Sequence, residues 1–193
     1  MPPLILQYRD IILRDRTPED IHNHRRWLTS ETEWLKWDAP WEENDPEANS
    51  KYLERITRRL KYPLPAIRTT LEICHSSGTH IGMVNAYNIN KDPNKLAVGI
   101  TLRESQFWGM GLGSQAFLLW LAYQFNQPGR RQIYCQTWSG NTRMIKLAEK
   151  YSFTFHSREQ YYWEANGQFY DGLTFILTRD AFQALHPDII TTP

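Results

Sequence analysis

Three groups of residues in this chain of 193 have types and spacings that could do chemistry. The first is Gln106-Phe107-Trp108-Gly109-Met110-Gly111-Leu112-Gly113-Ser114, in which alternate glycines separate a strand-like run ending at Leu102 from an apolar helical run, Ser114 to Asn126. Glycine lets backbone approach a ligand closely, and a helix start presents unpaired amides at its positive end, so the arrangement suits an anion such as a diphosphate. A tight turn with no ligand would use the same glycines, and only context separates the two readings.

The second group is aromatic and acidic. Trp27, Trp34, Trp37 and Trp41 are four of the eight tryptophans, and between Glu31 and Glu47 seven acids face one lysine, a local charge of −6. Indole faces beside negative charge suit a protonated amine; the alternative is that at least two of these tryptophans pack the loop onto the sheet. The third group, Lys51 to Arg68, sets six bases against Glu54, a local +5. It reads as a solvated helix face, with a ribosomal or RNA contact as the lesser alternative.

These local excesses cancel in the whole chain, where 22 Lys and Arg meet 21 Asp and Glu for a net +1. That balance excludes an electrostatic reader of polyanions, and no nucleic-acid partner is expected. A hydrophobic fraction of 41% and an aromatic fraction of 13% exclude a disordered chain. The length suits a single domain, residues 1–193, with a core that needs neither disulfide nor structural metal. Cys74 and Cys135 sit in alternating apolar stretches with no CxxC or Cys/His spacing, as reduced core residues do. His22 and His24 have no third ligand nearby in sequence, His80 and His156 fall in strands, and no metal is assigned. The N-terminal MPPLILQYRD lacks a basic start and a cleavage site, and no run is long and apolar enough to span a membrane, so a cytoplasmic protein with no membrane partner is expected.

The elements that would position these residues follow from periodicity. Leu4 to Leu13 reads as a strand, and Thr17-Pro18-Glu19-Asp20 starts a helix that ends near Ser30. A long aromatic loop with short helical turns runs to Asn44, and Asp45-Pro46 starts a second helix that must stop before Pro63. From Pro65 the period changes to two: strands are expected over Ile67–Ile73, Ile81–Ile89 and Leu96–Leu102. After the helix from Ser114 come a strand from Gln132 to Thr137, a helix from Thr142 to near Tyr151, and a hairpin, Thr154–Trp163 and Gln168–Thr178, over Asn166-Gly167. The result is an α+β protein with one mixed, mostly antiparallel sheet of about seven strands and flanking helices.

This context rules out two nucleotide folds. A dinucleotide-binding loop would need glycine where Ser114 stands, and an acid about 20 residues later on a second strand; a nucleotide-binding oxidoreductase is disfavoured on the same grounds. A P-loop would need a following Gly-Lys-Ser/Thr. What Gln106-Phe107-Trp108-Gly109-Met110-Gly111 does resemble, as a Q-x-x-G-x-G pattern, is the acyl-CoA pyrophosphate loop of the GNAT N-acetyltransferases. The element order is similar to that family's over most of the chain. Thr137 to Phe153 resembles its second cofactor segment, most closely in the branch acting on ribosomal-protein N-termini. Asn141, Glu149-Lys150 and Phe153 match that branch, whereas Met144 replaces a Ser and Ser152 a Gly, and the tail Gly167-Gln168-Phe169-Tyr170-Asp171 is also similar.

The resemblance implies a fold with a splayed central strand pair and transfer of an acetyl group from acetyl-CoA to a primary amine, either a protein N-terminus or a small cationic amine. It implies that Ile100, Leu102 and Arg103 line the pantetheine arm and that Gln106, Trp108, Gly109, Met110, Gly111, Leu112, Gly113 and Ser114 hold the diphosphate. Asn141 would hydrogen-bond the pantetheine, and Arg143 and Lys146 are candidates for CoA phosphates, with solvated helix charges as the alternative. Many members carry a Tyr where Ala148 stands, so Tyr151 and Ser139 become substitute candidates for the proton donor to the thiolate. No motif marks the base, for which Asp38, Glu42 and Asp171 are candidates, Asp38 first; Trp34, Trp37, Trp41, Asp38, Glu42 and Asp171 are candidates for the acceptor site. The missing Tyr and Ser keep open a non-catalytic, CoA-binding regulatory or interaction module. Exposed tryptophans would favour a homodimer.

Overall fold

The computed structural model describes residues 1–41, 44–165 and 167–189. In chain order the elements are β1 (Ile5–Tyr8), β2 (Ile11–Arg14), α1 (Asp20–Thr29), α2 (Leu35–Asp38), α3 (Pro46–Arg59), β3 (Thr70–His75), β4 (His80–Asn88) and β5 (Leu96–Leu102). Then follow α4 (Leu112–Phe125), β6 (Gln132–Trp138), α5 (Thr142–Lys150), β7 (Thr154–Ala165), β8 (Gln168–Thr178) and α6 (Arg179–Leu185). One mixed, mostly antiparallel sheet of eight strands runs β1-β2-β3-β4-β5-β6-β8-β7, with β5 and β6 parallel and registered at Ala97 opposite Tyr134.

The expected α+β layout is present, with three departures. Leu4 to Leu13 is a hairpin and not one strand: Tyr8 pairs with Ile11, and Arg9 takes φ 51° at the turn. No glycine or proline punctuates that turn, and it accounts for the eighth strand. The third strand starts at Thr70, because Arg68 is pinned before it by the Asp15 carboxylate and the carbonyls of Pro2 and Pro65. The chain also forms α6 after the last hairpin, capped by Thr178 Oγ1, which accepts from Ala181 N at 3.2 Å. Asn166 of the expected hairpin turn lies outside the described residues.

Two compact units divide the chain, 1–84 with 100–116 and 85–99 with 117–193, and the division falls inside β4, β5 and α4. In the first, Trp27, Leu28, Trp34, Leu53 and Ile56 form one cluster from α1, the following loop and α3, with Trp108 packed against it. In the second, Phe125 and Phe182 stack with centroids 5.1 Å apart, and Trp120 Nε1 donates to the Asn85 carbonyl at 2.9 Å. The α4 sequence is apolar on every side, as a helix covered all round must be.

No described helix is long and apolar enough to cross a membrane. Both cysteines are buried and free; burial raises the Cys74 thiol and pushes Cys135 up to about 12, so neither supplies a thiolate near neutral pH. All eight tryptophans are buried or half-buried, which removes the exposed-tryptophan ground for a homodimer.

The start of α3 formed as the sequence implied. Asp45 accepts from the amides of Glu47 at 2.9 Å and Ala48 at 3.2 Å, and Pro46 occupies the first helical position. Asp45→Ala is expected to lower unfolding stability by about 1 kcal/mol, read as a reduced urea midpoint with unchanged slope.

Candidate functional site

The glycine loop is built by three local constraints. Trp108 Nε1 donates to the Leu102 carbonyl at 3.0 Å and closes the loop at the end of β5. Gly109 and Gly111 take φ 79° and 76°, the left-handed region that a side chain strains, and neither would meet any atom with an added Cβ. Gly113 has an ordinary φ, but its position is tight, with the Leu102 side chain 3.3 Å from where a Cβ would sit. Gln106, Gly109, Met110 and Gly111 are exposed, and Leu112 turns inward to start α4. The backbone thus forms an open concave stretch that runs into the first turn of a 14-residue helix, whose amides point back along its axis.

Beside the loop, β4 and β5 are forced together at one point. An added Cβ on Gly82 would lie 2.1 Å from the Thr101 carbonyl oxygen, so glycine is required there. The Arg103 amide donates to Ile81 O at 2.8 Å. Ile100 and Leu102 are half-buried at this strand end.

The Arg103 side chain turns into the core. Its guanidinium lies 4.2 Å from the Trp34 ring centroid, 5.5 Å from Trp27 and 5.9 Å from Tyr52, and Nη1 lies 3.3 Å from His24 Nδ1. The aromatic cage expected for a substrate cation is therefore occupied at Trp34 by the chain's own arginine. Trp34 is 5% exposed and its indole donates to Trp27 O at 2.8 Å. Trp37 and Trp41 are half-buried and Asp38 is exposed at the end of α2. Glu42 lies outside the described residues.

The acids of that segment do separate structural work. Glu31 accepts from Ser105 N at 3.2 Å, Glu33 pairs with Lys36 at 2.8 Å, Asp45 caps α3, and Glu47 pairs with Lys51 at 2.6 Å. Of the −6 apparent in sequence, much is thus locally answered.

Beneath lies a buried charge network. Glu72 is 0% exposed; its carboxylate takes Arg16 Nε at 2.6 Å, His80 Nε2 at 2.8 Å and His24 Nε2 at 3.2 Å. His24 Nδ1 faces the Tyr52 hydroxyl at 2.9 Å as well as Arg103, two donors that assign the Nε2–H tautomer. Asp20 forms a two-point pair with Arg14 at 2.6 and 2.7 Å and lies 3.2 Å from His80 Nδ1. Burial by itself would push the Glu72 carboxyl up, but hydrogen bonds from His24 and His80 and the charge of Arg16 outweigh it and hold the group well below the usual range. Burial also pushes His24 down, against the pull of Glu72, so its ring is neutral at physiological pH.

His24, Glu72 and His80 converge as the sequence did not foresee, with ligand atoms within 4.8 Å. Their lone pairs and protons are already matched to one another, and Arg16 and Arg103 place positive charge beside them, which opposes a further cation.

In the second unit the predicted residues are mostly fasteners. Asn141 caps α5, its Oδ1 accepting from Met144 N at 3.0 Å. Gly140 precedes it because a Cβ would stand 1.8 Å from the Trp138 ring. Ser139 and Asp171 tie β6 to β8: Ser139 N donates to Asp171 O at 2.9 Å, and Asp171 N donates to Ser139 Oγ at 3.0 Å. The Asp171 carboxylate also holds Arg158 and accepts from Tyr161 N at 3.0 Å. Tyr151 is 4% exposed, packed against Phe117 and His186. Ser139 Oγ accepts in that bond and keeps its own O–H to donate, Tyr151 is buried at its ring, and Asp171 is drawn toward Arg158 and Tyr161, so all three remain candidates with these partners. Arg143 and Lys146 are exposed on α5.

A family model described as acetyltransferase (GNAT) domain matches residues 10–154. No curated protein sequence matches the chain. Among solved structures, a ribosomal-protein-S5-alanine acetyltransferase from Vibrio fischeri superposes with a TM-score of 0.73 at 18% identity, covering 92% of this chain and 97% of that one. A GNAT-family acetyltransferase from Bacillus anthracis gives 0.70 at 11% identity, covering 92% and 99%. A ribosomal L7/L12 alpha-N-protein acetyltransferase in complex with coenzyme A gives 0.68 at 16%, covering 92% and 99%. At these identities the likeness is one of fold.

The native proton affinities of Glu72 and His24 both lie below their unfolded values. Their stabilising contribution is complete above the unfolded histidine value of about 6.5 and is lost as pH falls from there, more steeply below the unfolded glutamate value of about 4.3. A urea midpoint that stays flat from pH 7 to pH 4 would contradict the assignment. Glu72→Gln, which leaves Arg16 and two histidines around a neutral amide, is expected to cost about 3–5 kcal/mol at pH 7 and to remove the steep acid limb.

Proposed function

Because the chain belongs to the GNAT acetyltransferase family, we propose that it moves an acetyl group from acetyl-CoA to a primary amine, a protein N-terminus or a small amine, by direct attack on the thioester. The observation that carries this reading is the open loop at Gly109 and Gly111, left-handed at both and feeding straight into α4. Amides from Gly109 to Ser114 cradle the diphosphate, while that of Trp108 is given to Ser105 O. The backbone of Ile100 and Leu102 lies along the pantetheine arm; Arg103 adds only its carbonyl, since its amide is given to Ile81. Gln106, Asn141, Arg143 and Lys146 supply further contacts to CoA.

In the reaction the amine lone pair forms the new C–N bond at the acetyl carbonyl, the oxyanion collapses, the C–S bond breaks, and the nitrogen proton passes to solvent or a base. A backbone N–H at Leu102 serves the oxyanion, where a fixed donor helps most. Asp38 takes the amine proton, directly or through water, and Trp37 and Trp41 flank the incoming ammonium. Trp34 is left out of this role because Arg103 covers it.

Met144 and Ala148, buried on α5 where many members carry Ser and Tyr, favour a second reading, a CoA-binding module without turnover. Thiol release from acetyl-CoA across an amine panel separates the two: turnover with any amine removes the module reading, and CoA binding without release removes the enzyme reading. Gly111→Ala, which strains a left-handed position by about 1–2 kcal/mol, is expected to raise KM for acetyl-CoA about tenfold with kcat little changed. Asp38→Asn is expected to lower kcat/KM for the amine by about 10–100-fold at pH 7, and less at pH 9 where more amine is already deprotonated.

A further inference from the structure

The basic run from Lys51 to Arg68, four of whose bases lie on α3, has a use that its reading as a solvated face leaves out. Of its six bases, Arg68 is buried against Asp15 and Lys51 pairs with Glu47. Arg55, Arg58 and Arg59 have no carboxylate partner among the described residues. All three line one cavity of about 500 Å³, together with Arg16, Tyr52 and Tyr62. Arg16 is paired with Glu72, which leaves three guanidiniums in the cavity with no carboxylate partner among the described residues. Arg55 lies over the Tyr52 ring at 5.5 Å, which holds its head toward the aromatic wall.

The cavity adjoins the end of β5 through named contacts. The Tyr52 hydroxyl reaches His24 Nδ1 at 2.9 Å and Met83 Sδ at 3.9 Å, and the same His24 nitrogen faces Arg103, the residue after Leu102. Met83, a lining residue, follows Gly82, which is pressed against Thr101 O. The cavity wall at Met83 and the strand end where the acetyl group is expected thus belong to neighbouring strands, β4 and β5.

We propose that this cavity is an oxyanion subsite of the acceptor, so that the preferred substrate is a primary amine that also carries a carboxylate or a phosphate. The inference rests on the acetyl-transfer reading and names the substrate class for it. The ammonium end meets Asp38, and the anionic end meets guanidiniums whose planar forks match either oxyanion. A purely cationic amine would place like charge against Arg55, Arg58 and Arg59.

The test pairs each anionic amine with a neutral partner of similar shape: β-alanine against β-alaninamide, and O-phosphoethanolamine against ethanolamine. At least one anionic member is expected to show a KM about tenfold below its neutral partner, and Arg55→Gln with Arg59→Gln, both exposed helix positions, should erase that difference while leaving the neutral amines as they were. A preference within the first pair identifies a carboxylate and within the second a phosphate. Equal KM values within both pairs, or a preference that survives in the double variant, overturns the subsite while leaving acetyl transfer intact. If no amine gives thiol release, the transfer reading fails instead. The subsite is then judged by calorimetric titration of the same four amines, where equal affinity within both pairs for the wild-type chain overturns it.

Discussion

A carboxylate with no access to water has to be answered by charge and hydrogen bonds from several directions at once, and Glu72 organises the first unit on that requirement. Its partners come from the residues after β2, from α1 and from the first residue of β4. Removing any one would leave buried charge unmatched, at a cost of several kcal/mol, so the elements are held in a single arrangement. His24 extends the network to Tyr52 and Arg103, and Arg103 extends it to Trp34. The segment expected to receive the acceptor is thus anchored to the same group that fixes the strands. Whether the pairing adds net stability over an apolar core is secondary here; what it adds is one defined geometry.

Much of the fold was legible because it rests on local signals. Asp45-Pro46, the alternation around Leu96–Leu102 and the glycine-to-helix transition each act over a few residues, and each formed where the pattern put it. The turn at Arg9 was not legible, since a positive φ on arginine has no compositional mark. The candidate site was legible in its backbone and much less so in its side chains. Asn141 and Ser139 carry the right residue types, yet what they touch depends on Met144 N and on Asp171 in a distant strand. Glu72 and His80 face each other across one turn, but His24 is 48 residues away from Glu72 and nothing local announces that it joins them. A helix-spaced arginine run beside Tyr52 is the one signal that could have pointed to the cavity.

The opposed charges of the N-terminal third also change meaning once their partners are known. Acids and bases that looked like two uniform patches divide into those that cap or pair and those that do not. Glu31, Glu33, Asp45 and Glu47 belong to the first class, as do Lys51 and Arg68. Among the described residues, Arg55, Arg58 and Arg59 make up the second class and gather at one opening, while Asp38 is exposed at the end of α2. Charge counted along a sequence measures supply; only the pairing tells how much of it a ligand can feel.

The stacking of Arg103 between Trp34 and the α1 side divides the tryptophan segment into two halves with different freedom to change. Residues up to Trp34 are locked into the network under the sheet. Those from Trp37 to Trp41, and the outer turn of α3, are half-buried or exposed. On the acetyl-transfer reading, acceptor preference can therefore drift, or be redesigned, through a handful of surface positions while the glycine loop stays as it is. The caged guanidinium of Arg103 marks where that freedom begins.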